Sequence, residues 1–526
     1  MTVPSSSSLP DFLSEPSFTT IKQAFPVITT ISLAIVALIS FVVFTQRSKY
    51  PIANAPAWLE LTTLRRMKYM KDGHTVLDNA LKQYGEKPFK LLTNSGMVTV
   101  FPPEYANMIR NERQLVFAKA FAHVGLKSYA VDFAAKMPGL EPFNFLDLPD
   151  RVIQTVSKKQ LTKSLIHFAI DKIFGNNTEW KEIIITDSIL QLIARLSGKV
   201  FLGDELCRNE SWLEVSKNYT VLAVGFSKTS SFLPGPLKRV WSWFVDDSKL
   251  IRKYFKEARD ILAPILENRK QAKAEAERKG KSAPVYNDML EWLEQEGQTD
   301  VSNLVACQML LSVAAIHTTS ELLNQTMLHL ASDPRHIEDL RKEIIEVLTA
   351  DGLSKAALSN LKLMDSAIKE TQRLTPVSYL SMRRIAAEKV TLADGTVINK
   401  GDYTVVNGKT MADPQIWLEP EKYDIYRYYR LRQDPVTANK AHLVSTSPNH
   451  MGFGHGDQAC PGRFFAANEI KIAICHLLLK YDWELAPGAN VAPVHAFAET
   501  MTIDPNNKVR FRRRREELDL ESLFSK

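Results

Sequence analysis

The chain has 526 residues and a mass of 59.4 kDa, more than one ordinary core fills, so several domains or one unusually large fold are expected. It is 45% hydrophobic and 24% charged, with a mean hydropathy of −0.16, which excludes a disordered chain, a coiled-coil rod and a polytopic membrane protein. A net charge of +7 and a pI near 8.9 suit an acidic partner or a membrane surface and do not by themselves argue for nucleic acid.

The first element is an apolar run. Between Lys22 and Arg47 lie 24 residues without a charge, including AFPVITTISLAIVALISFVVF. As a helix this run is about 36 Å long, enough to cross a hydrocarbon core about 30 Å thick. Asp11 and Glu15 precede it and no A-x-A site follows, so a cleaved signal peptide fits worse. Arg47 and Lys49 follow directly, and the positive-inside rule then places the remaining chain in the cytosol. The expected organisation is a lumenal tail at 1–23, a transmembrane anchor at 24–46, a Pro-containing linker at 47–56 and a globular part at 57–526.

Residues 86–102 read as short strands about a turn at Asn94–Gly96. Much of 103–375 reads as helix. Within it, SSFLPGPLKRVWSWFV (230–245) sets two tryptophans beside prolines, a composition suited equally to core packing and to a bilayer interface. The stretch 301–332 is long and apolar. It starts after Asp300, a capping residue, stops at Asp333-Pro334, and should run through the centre of the fold. Strands with turns at Asp394-Gly395 and Lys400-Gly401 occupy 379–406, a turn-rich stretch fills 411–456, and an amphipathic helix follows at 463–480. RFRRRREE near the C-terminus reads as a solvated tail or an edge strand. The pattern is mainly α with a small β region, an α+β fold.

Several motifs fail. Asn407-Gly408-Lys409-Thr410 resembles the end of a P-loop, but the first glycine would stand at position 403, which is Tyr403. No HExxH or GxSxG occurs. The four cysteines, Cys207, Cys307, Cys460 and Cys475, have no CxxC spacing, and four in so long a chain suit a reducing compartment. Cys460 stands apart in MGFGHGDQACPGRFFAANEIK (451–471). It sits just before the last helix, where backbone N–H groups and the helix dipole favour a thiolate. The glycines upstream let the backbone approach something flat and bulky, and Phe453 could pack against it.

Here the sequence resembles the cytochrome P450 family. Phe453, Gly456, Cys460 and Gly462 stand as in its haem-binding loop, whose cysteine thiolate is the proximal iron ligand. In KETQR, Glu370 and Arg373 fall one helical turn apart and are similar to the family's ExxR pair. In PEKYDIYRY, Arg427 looks like the arginine that completes this buried network. In AAIHTTS, Thr318 stands in the oxygen-activating position of the long central helix, beside His317. The resemblance implies one large haem-thiolate monooxygenase fold over 57–526, with heme b as cofactor and substrate beside Val313, Ala314 and Pro376–Tyr379. It implies that Arg383 or Arg384 meets a haem propionate, without choosing between them.

Three positions depart from the family's pattern. Gln458 stands where an arginine or histidine contacts propionate, and His317 where an acid precedes the threonine. A histidine can shuttle protons, or it can cap a local helix distortion. The tryptophan or basic residue of an earlier helix has no clear counterpart, Lys158 and Lys159 being the candidates. LLSVAAIHTTSEL and FGHGDQACPGRFFAANEIK are most similar to fungal enzymes of terpenoid secondary metabolism. The resemblance implies a bulky apolar substrate and electrons from NADPH through NADPH-cytochrome P450 reductase, with cytochrome b5 as a second possible donor. It also implies a single-pass endoplasmic reticulum protein with a cytosolic catalytic domain. The competing classes are a haem-thiolate isomerase or dehydratase that uses no oxygen, and a non-catalytic haem- or sterol-binding membrane protein.

Overall fold

The computed structural model describes residues 29–30, 32–38, 49–120, 139–145, 165–230, 240–520 and 523. Of the apolar stretch 24–46, only 29–30 and 32–38 are described, and they are helical; Lys158, Lys159 and 231–239 lie outside the described residues. Six helices organise the site: α1 (Thr62–Tyr84), α2 (Ile185–Leu206), α3 (Asp246–Arg278), α4 (Val301–Ala331), α5 (Lys362–Leu374) and α6 (Arg463–Lys480).

Helix α4 begins where Asp300 caps it, the carboxylate accepting the Asn303 N–H at 3.0 Å. It ends where Asp333 and Pro334 start the next helix, Pro334–Asp351. Almost every residue from Leu304 to Leu330 is buried, because α2, α5 and α6 all pack against it. Leu323, Leu328 and Leu330 are fully enclosed, and each such side chain contributes about 1.5–3 kcal/mol relative to exposure. Among the described residues this is the one helix long and apolar enough to cross a membrane, and its burial makes it the core helix of the globule instead.

The strands are β1 (Phe89–Thr93), β2 (Gly96–Phe101), β3 (Leu115–Val116), β4 (Lys181–Ile184), β5 (Leu380–Ala386), β6 (Val390–Thr391), β7 (Val397–Ile398), β8 (Tyr403–Asn407), β9 (Tyr481–Leu485), β10 (Val494–Phe497), β11 (Thr500–Thr502) and β12 (Lys508–Arg513). One sheet runs β1-β2-β8-β5-β3, with β2 and β8 parallel and its other pairs antiparallel. The β5–β8 register slips between Ser381 and Arg384, a bulge that carries Met382 at a φ of 48°.

Three sequence expectations change. Helix α6 is not amphipathic: Ala467 and every residue from Glu469 to Lys480 are buried. The RFRRRREE run is neither tail nor edge, since β12 is the middle strand of a sheet ordered β4-β12-β9. Its arginines are held by Asp482 and Glu484, and Arg510 and Arg512 lie over the Trp180 ring. The 240–245 end of the tryptophan-rich segment divides: Trp241 stacks on Phe226 at 5.5 Å, while Trp243 and Phe244 are exposed.

Two buried histidines set an acid limit. Burial holds His329 down to about 4 and His476 down to about 3, against an ordinary 6.5. His329 stacks on Tyr423, and neither ring nitrogen of His476 has a hydrogen-bond partner among the described residues. The unfolded chain takes up these protons below pH 6.5, whereas the fold resists them until about pH 4. Stability should therefore fall steadily between these values. Thermal melts at pH 7.5 and 5.0 should show a smaller acid loss for His476→Leu than for the parent chain; equal losses would refute the assignment.

Candidate active site

Helix α5 carries charge into the core. Glu370 is fully buried and takes Arg373 Nε and Nη2 on its two oxygens, each at 2.8 Å, and Arg427 Nε at 2.9 Å. Burial alone would depress the Arg373 guanidinium, but the Glu370 carboxylate raises it. The remaining guanidinium donors reach backbone carbonyls: Arg373 those of Met411 and Pro420, Arg427 those of Leu418, Glu419 and Lys422. The Glu–Arg–Arg network expected from sequence is thus assembled, and it staples the turn-rich segment 411–422.

The same helix holds the next part of that segment through residues that motif spacing did not single out. Asp365 accepts the Leu443 N–H at 2.8 Å and is ion-paired with Arg432 and Lys471. Lys369 donates to the carbonyls of His442 and Ser445 at 2.6 and 2.7 Å, and burial pushes its amine down to about 7. Nothing in a one-dimensional motif marks Asp365, because its partners lie 67 to 106 residues downstream.

The loop that follows ends at Cys460. Its shape needs glycine: Gly456 has a φ of 84°, and a Cβ there would lie 2.4 Å from the Arg110 carbonyl oxygen. Gly462 is the N-cap of α6, with a φ of −82° that any residue adopts. The Cys460 N–H donates to the Phe453 carbonyl at 2.8 Å, and Arg463 Nη1 donates to the Cys460 carbonyl at 2.8 Å. Cys460 is exposed at the N-terminal end of α6, whereas Cys207, Cys307 and Cys475 are buried. Burial pushes the Cys307 thiol up to about 12 and raises those of Cys207 and Cys475, which keeps all three protonated.

On α4, Ala314 and Thr318 are exposed in the middle of an otherwise buried helix, four residues apart and so on one face. The Thr318 hydroxyl donates to the Ala314 carbonyl at 2.7 Å, the usual back-bond of a helical threonine. His317 is half-buried, and the helix is continuous past it.

The bulge in β5 separates the two arginines that the sequence left undecided. Arg383 pairs with Glu499 at 2.6 Å. Arg384 is buried and donates to the carbonyls of Arg383 and Gln458, at 2.8 and 3.3 Å, with no carboxylate partner among the described residues. Burial accordingly pushes it down to about 10. Gln458, which replaces a basic residue, turns its amide onto backbone: Oε1 accepts from Phe117 N and Nε2 donates to Leu115 O, both at 2.7 Å.

The family description of cytochrome P450 matches residues 154–511. The chain belongs to the cytochrome P450 family. It is 40% identical over 478 residues to the cytochrome P450 monooxygenase hepE of Aspergillus oryzae, covering 88% of this chain and 86% of the relative. It is 37% identical over 513 residues to the cytochrome P450 monooxygenase eqxH of Fusarium heterosporum, covering 95% and 96% of the two chains. The solved structure of a retinoic-acid-bound cyanobacterial CYP120A1 shares the fold, with a TM-score of 0.59 and 19% identity over 85% of this chain and 96% of that one.

The P450 is therefore an enzyme of the monooxygenase class, and family membership implies a haem-thiolate cofactor. The residues present fit such a group. An exposed thiol at a helix N-terminus, a buried arginine with no carboxylate partner among the described residues and an exposed face of α4 are what a ring with one metal and two carboxylates requires. Glu469 escaped the sequence reading: it is buried nine residues after Cys460, accepts from Ser197 Oγ at 2.8 Å, and burial pushes it up to about 8, so it is a neutral acid. Removing Glu370 leaves two buried guanidinium groups without their carboxylate, and removing Arg373 leaves Glu370 with Arg427 alone; breaking a buried pair of this kind costs about 3–5 kcal/mol. Glu370→Ala or Arg373→Ala should therefore yield little haem-loaded protein and a lower unfolding free energy in denaturant titrations; a value within about 0.5 kcal/mol of the parent, the spread of neutral surface changes, would refute this.

Proposed function

We propose that this P450 is a membrane-anchored tailoring oxygenase that hydroxylates or further oxidises a bulky apolar substrate, a terpenoid, meroterpenoid or indole-diterpene intermediate of fungal secondary metabolism. The observation that carries the haem-thiolate site is the meeting of the loop that ends at exposed Cys460 with Arg384 of β5, whose guanidinium reaches the Gln458 carbonyl and has no carboxylate partner among the described residues. Cys460 would hold the iron as thiolate, steadied by the N-terminus of α6. Arg384, not Gln458, supplies the positive charge for a propionate. A haem bound there supplies the iron at which molecular oxygen is activated.

The chain's own residues handle protons. With its hydrogen committed to the Ala314 carbonyl, Thr318 presents hydroxyl lone pairs to the open face of α4 and can orient a water there. His317, the residue before it, is a second group through which a proton can be passed to that water. Ala314 is small and leaves room for a polycyclic substrate beside Val313 and the Pro376–Tyr379 turn. Electrons come from NADPH through the P450 reductase, with cytochrome b5 as an alternative donor.

Anchoring at the endoplasmic reticulum membrane is supported by the uncharged run 24–46. Exposed Trp58, Leu59, Leu64 and Met67 add apolar surface just after the proline-containing linker, beside Lys68 and Lys71. Exposed Trp243 and Phe244 add another apolar tip.

The reduced, CO-bound spectrum tests the site. The Soret band should stand at the thiolate position and be lost in Cys460→Ala; a band retained in that variant would refute the ligand. Thr318→Ala should consume NADPH at a comparable rate but release peroxide, with product formation down at least tenfold (about 1.4 kcal/mol). Full coupling in Thr318→Ala would remove its proton role.

A further inference from the structure

The β10–β11 hairpin is held at both ends by carboxylates. At its tip Glu499 is buried, and its two oxygens take Arg383 Nη2 at 2.6 Å and the Tyr69 hydroxyl at 3.0 Å. Arg383 also reaches Ser378 Oγ at 3.3 Å and the Tyr403 hydroxyl at 3.5 Å. Burial would raise the Glu499 carboxyl, yet the Arg383 guanidinium outweighs it and holds the group below the ordinary carboxylate range. Beside this pair, the Ala498 N–H donates to the Met70 carbonyl at 3.0 Å, with Ala498 at a φ of 50°. Gly73 of α1 packs so closely that a Cβ there would lie 2.6 Å from the Ala498 carbonyl carbon. The tip is latched onto α1 and β5 together.

The other end is tied to α4. Glu321, three residues past Thr318, accepts from Thr502 Oγ1 and from the Ile503 N–H, both at 2.9 Å. The hairpin therefore spans from the helix that exposes Ala314 and Thr318 to the strand that carries Arg384.

We infer that Arg383 is a positioning residue: through Glu499 and Tyr69 it fixes the β10–β11 hairpin as a wall of the space above Thr318, and so sets which bulky ligands that space prefers. The inference rests on the haem-thiolate reading and adds to it a role for the one arginine of the pair that the cofactor does not need. Arg383→Gln leaves the buried Glu499 carboxylate unpaired at the tip and Glu499→Gln removes the tip's hold on Arg383 of β5, so in either variant the hairpin is released from β5.

The probes are imidazole and 4-phenylimidazole, two nitrogen ligands that differ by one ring, titrated into purified haem-loaded enzyme by their Soret shifts. Glu499→Gln and Arg383→Gln should keep the CO band at the thiolate position and bind imidazole within about twofold of the parent. Their preference for 4-phenylimidazole should fall about fivefold, a coupling of ordinary size between touching elements. A lower melting temperature with an unchanged ratio would mean a merely structural latch and overturns the inference. So does loss of haem from Arg383→Gln but not from Glu499→Gln, which makes Arg383 the propionate partner. Should Arg383→Gln fail to fold, the ratio in Glu499→Gln and Tyr69→Phe decides the matter. A parent enzyme lacking the thiolate band sinks the cofactor reading and the inference with it, so the two failures read differently.

Discussion

One carboxylate without access to water holds the proximal half of this P450 together. Glu370 is shared by two guanidinium groups, and the three side chains are buried on α5 and at the start of the short Arg427–Leu431 helix. Two positive charges facing one negative charge in a low-dielectric core would be costly if the remaining donors were idle. They are not: five backbone carbonyls between Met411 and Lys422 absorb them. A segment almost devoid of regular structure thereby acquires a defined path. Asp365, more than a turn upstream, and Lys369, the residue before Glu370, repeat the device and fix 442–445. The Cys460 loop begins a few residues later, so its position is inherited from charges on α5.

Opposite α5, the structure separates two chemical tasks by burial. Three cysteines are enclosed and remain thiols; the fourth is open, at the positive end of a helix. Two adjacent arginines divide in the same way. Arg383 has a carboxylate partner and belongs to the scaffold, while Arg384 has none among the described residues and is left with charge to offer an anion. Gln458 completes the pattern. A neutral amide in place of a base cannot compensate a propionate, but it can bridge Leu115 and Phe117, and it does so.

Much of this was legible in one dimension. The limits of α4 follow from Asp300 and Asp333-Pro334, the start of α6 from the Cys460 loop, and the Glu370–Arg373 pair from their spacing on a helix. What could not be read has a common cause. Asp365 looks like any surface acid until Arg432 and Lys471 arrive from distant sequence, and Glu469 looks charged until α2 buries it against Ser197. Helix α6 reads as amphipathic because its lysines and histidine are polar by type; in the fold they are enclosed, Lys471 having found Asp365 and the Leu358 carbonyl.

The sequence by itself determined the family, the one cysteine that stands just before a helix N-terminus, and the limits of α4 and the start of α6. These are properties of spacing along the chain, where caps, turns and helical periodicity act over a few residues. Only the tertiary structure decided which of Arg383 and Arg384 is left with free charge, what Gln458 does, why β12 is central, and which of Trp241 and Trp243 is core. The first of these turns on a bulge between Ser381 and Arg384 and on a carboxylate 116 residues away from Arg383. A one-residue slip in a strand re-aims every side chain near it, and that slip is set by the strands on either side, not by the residues that undergo it.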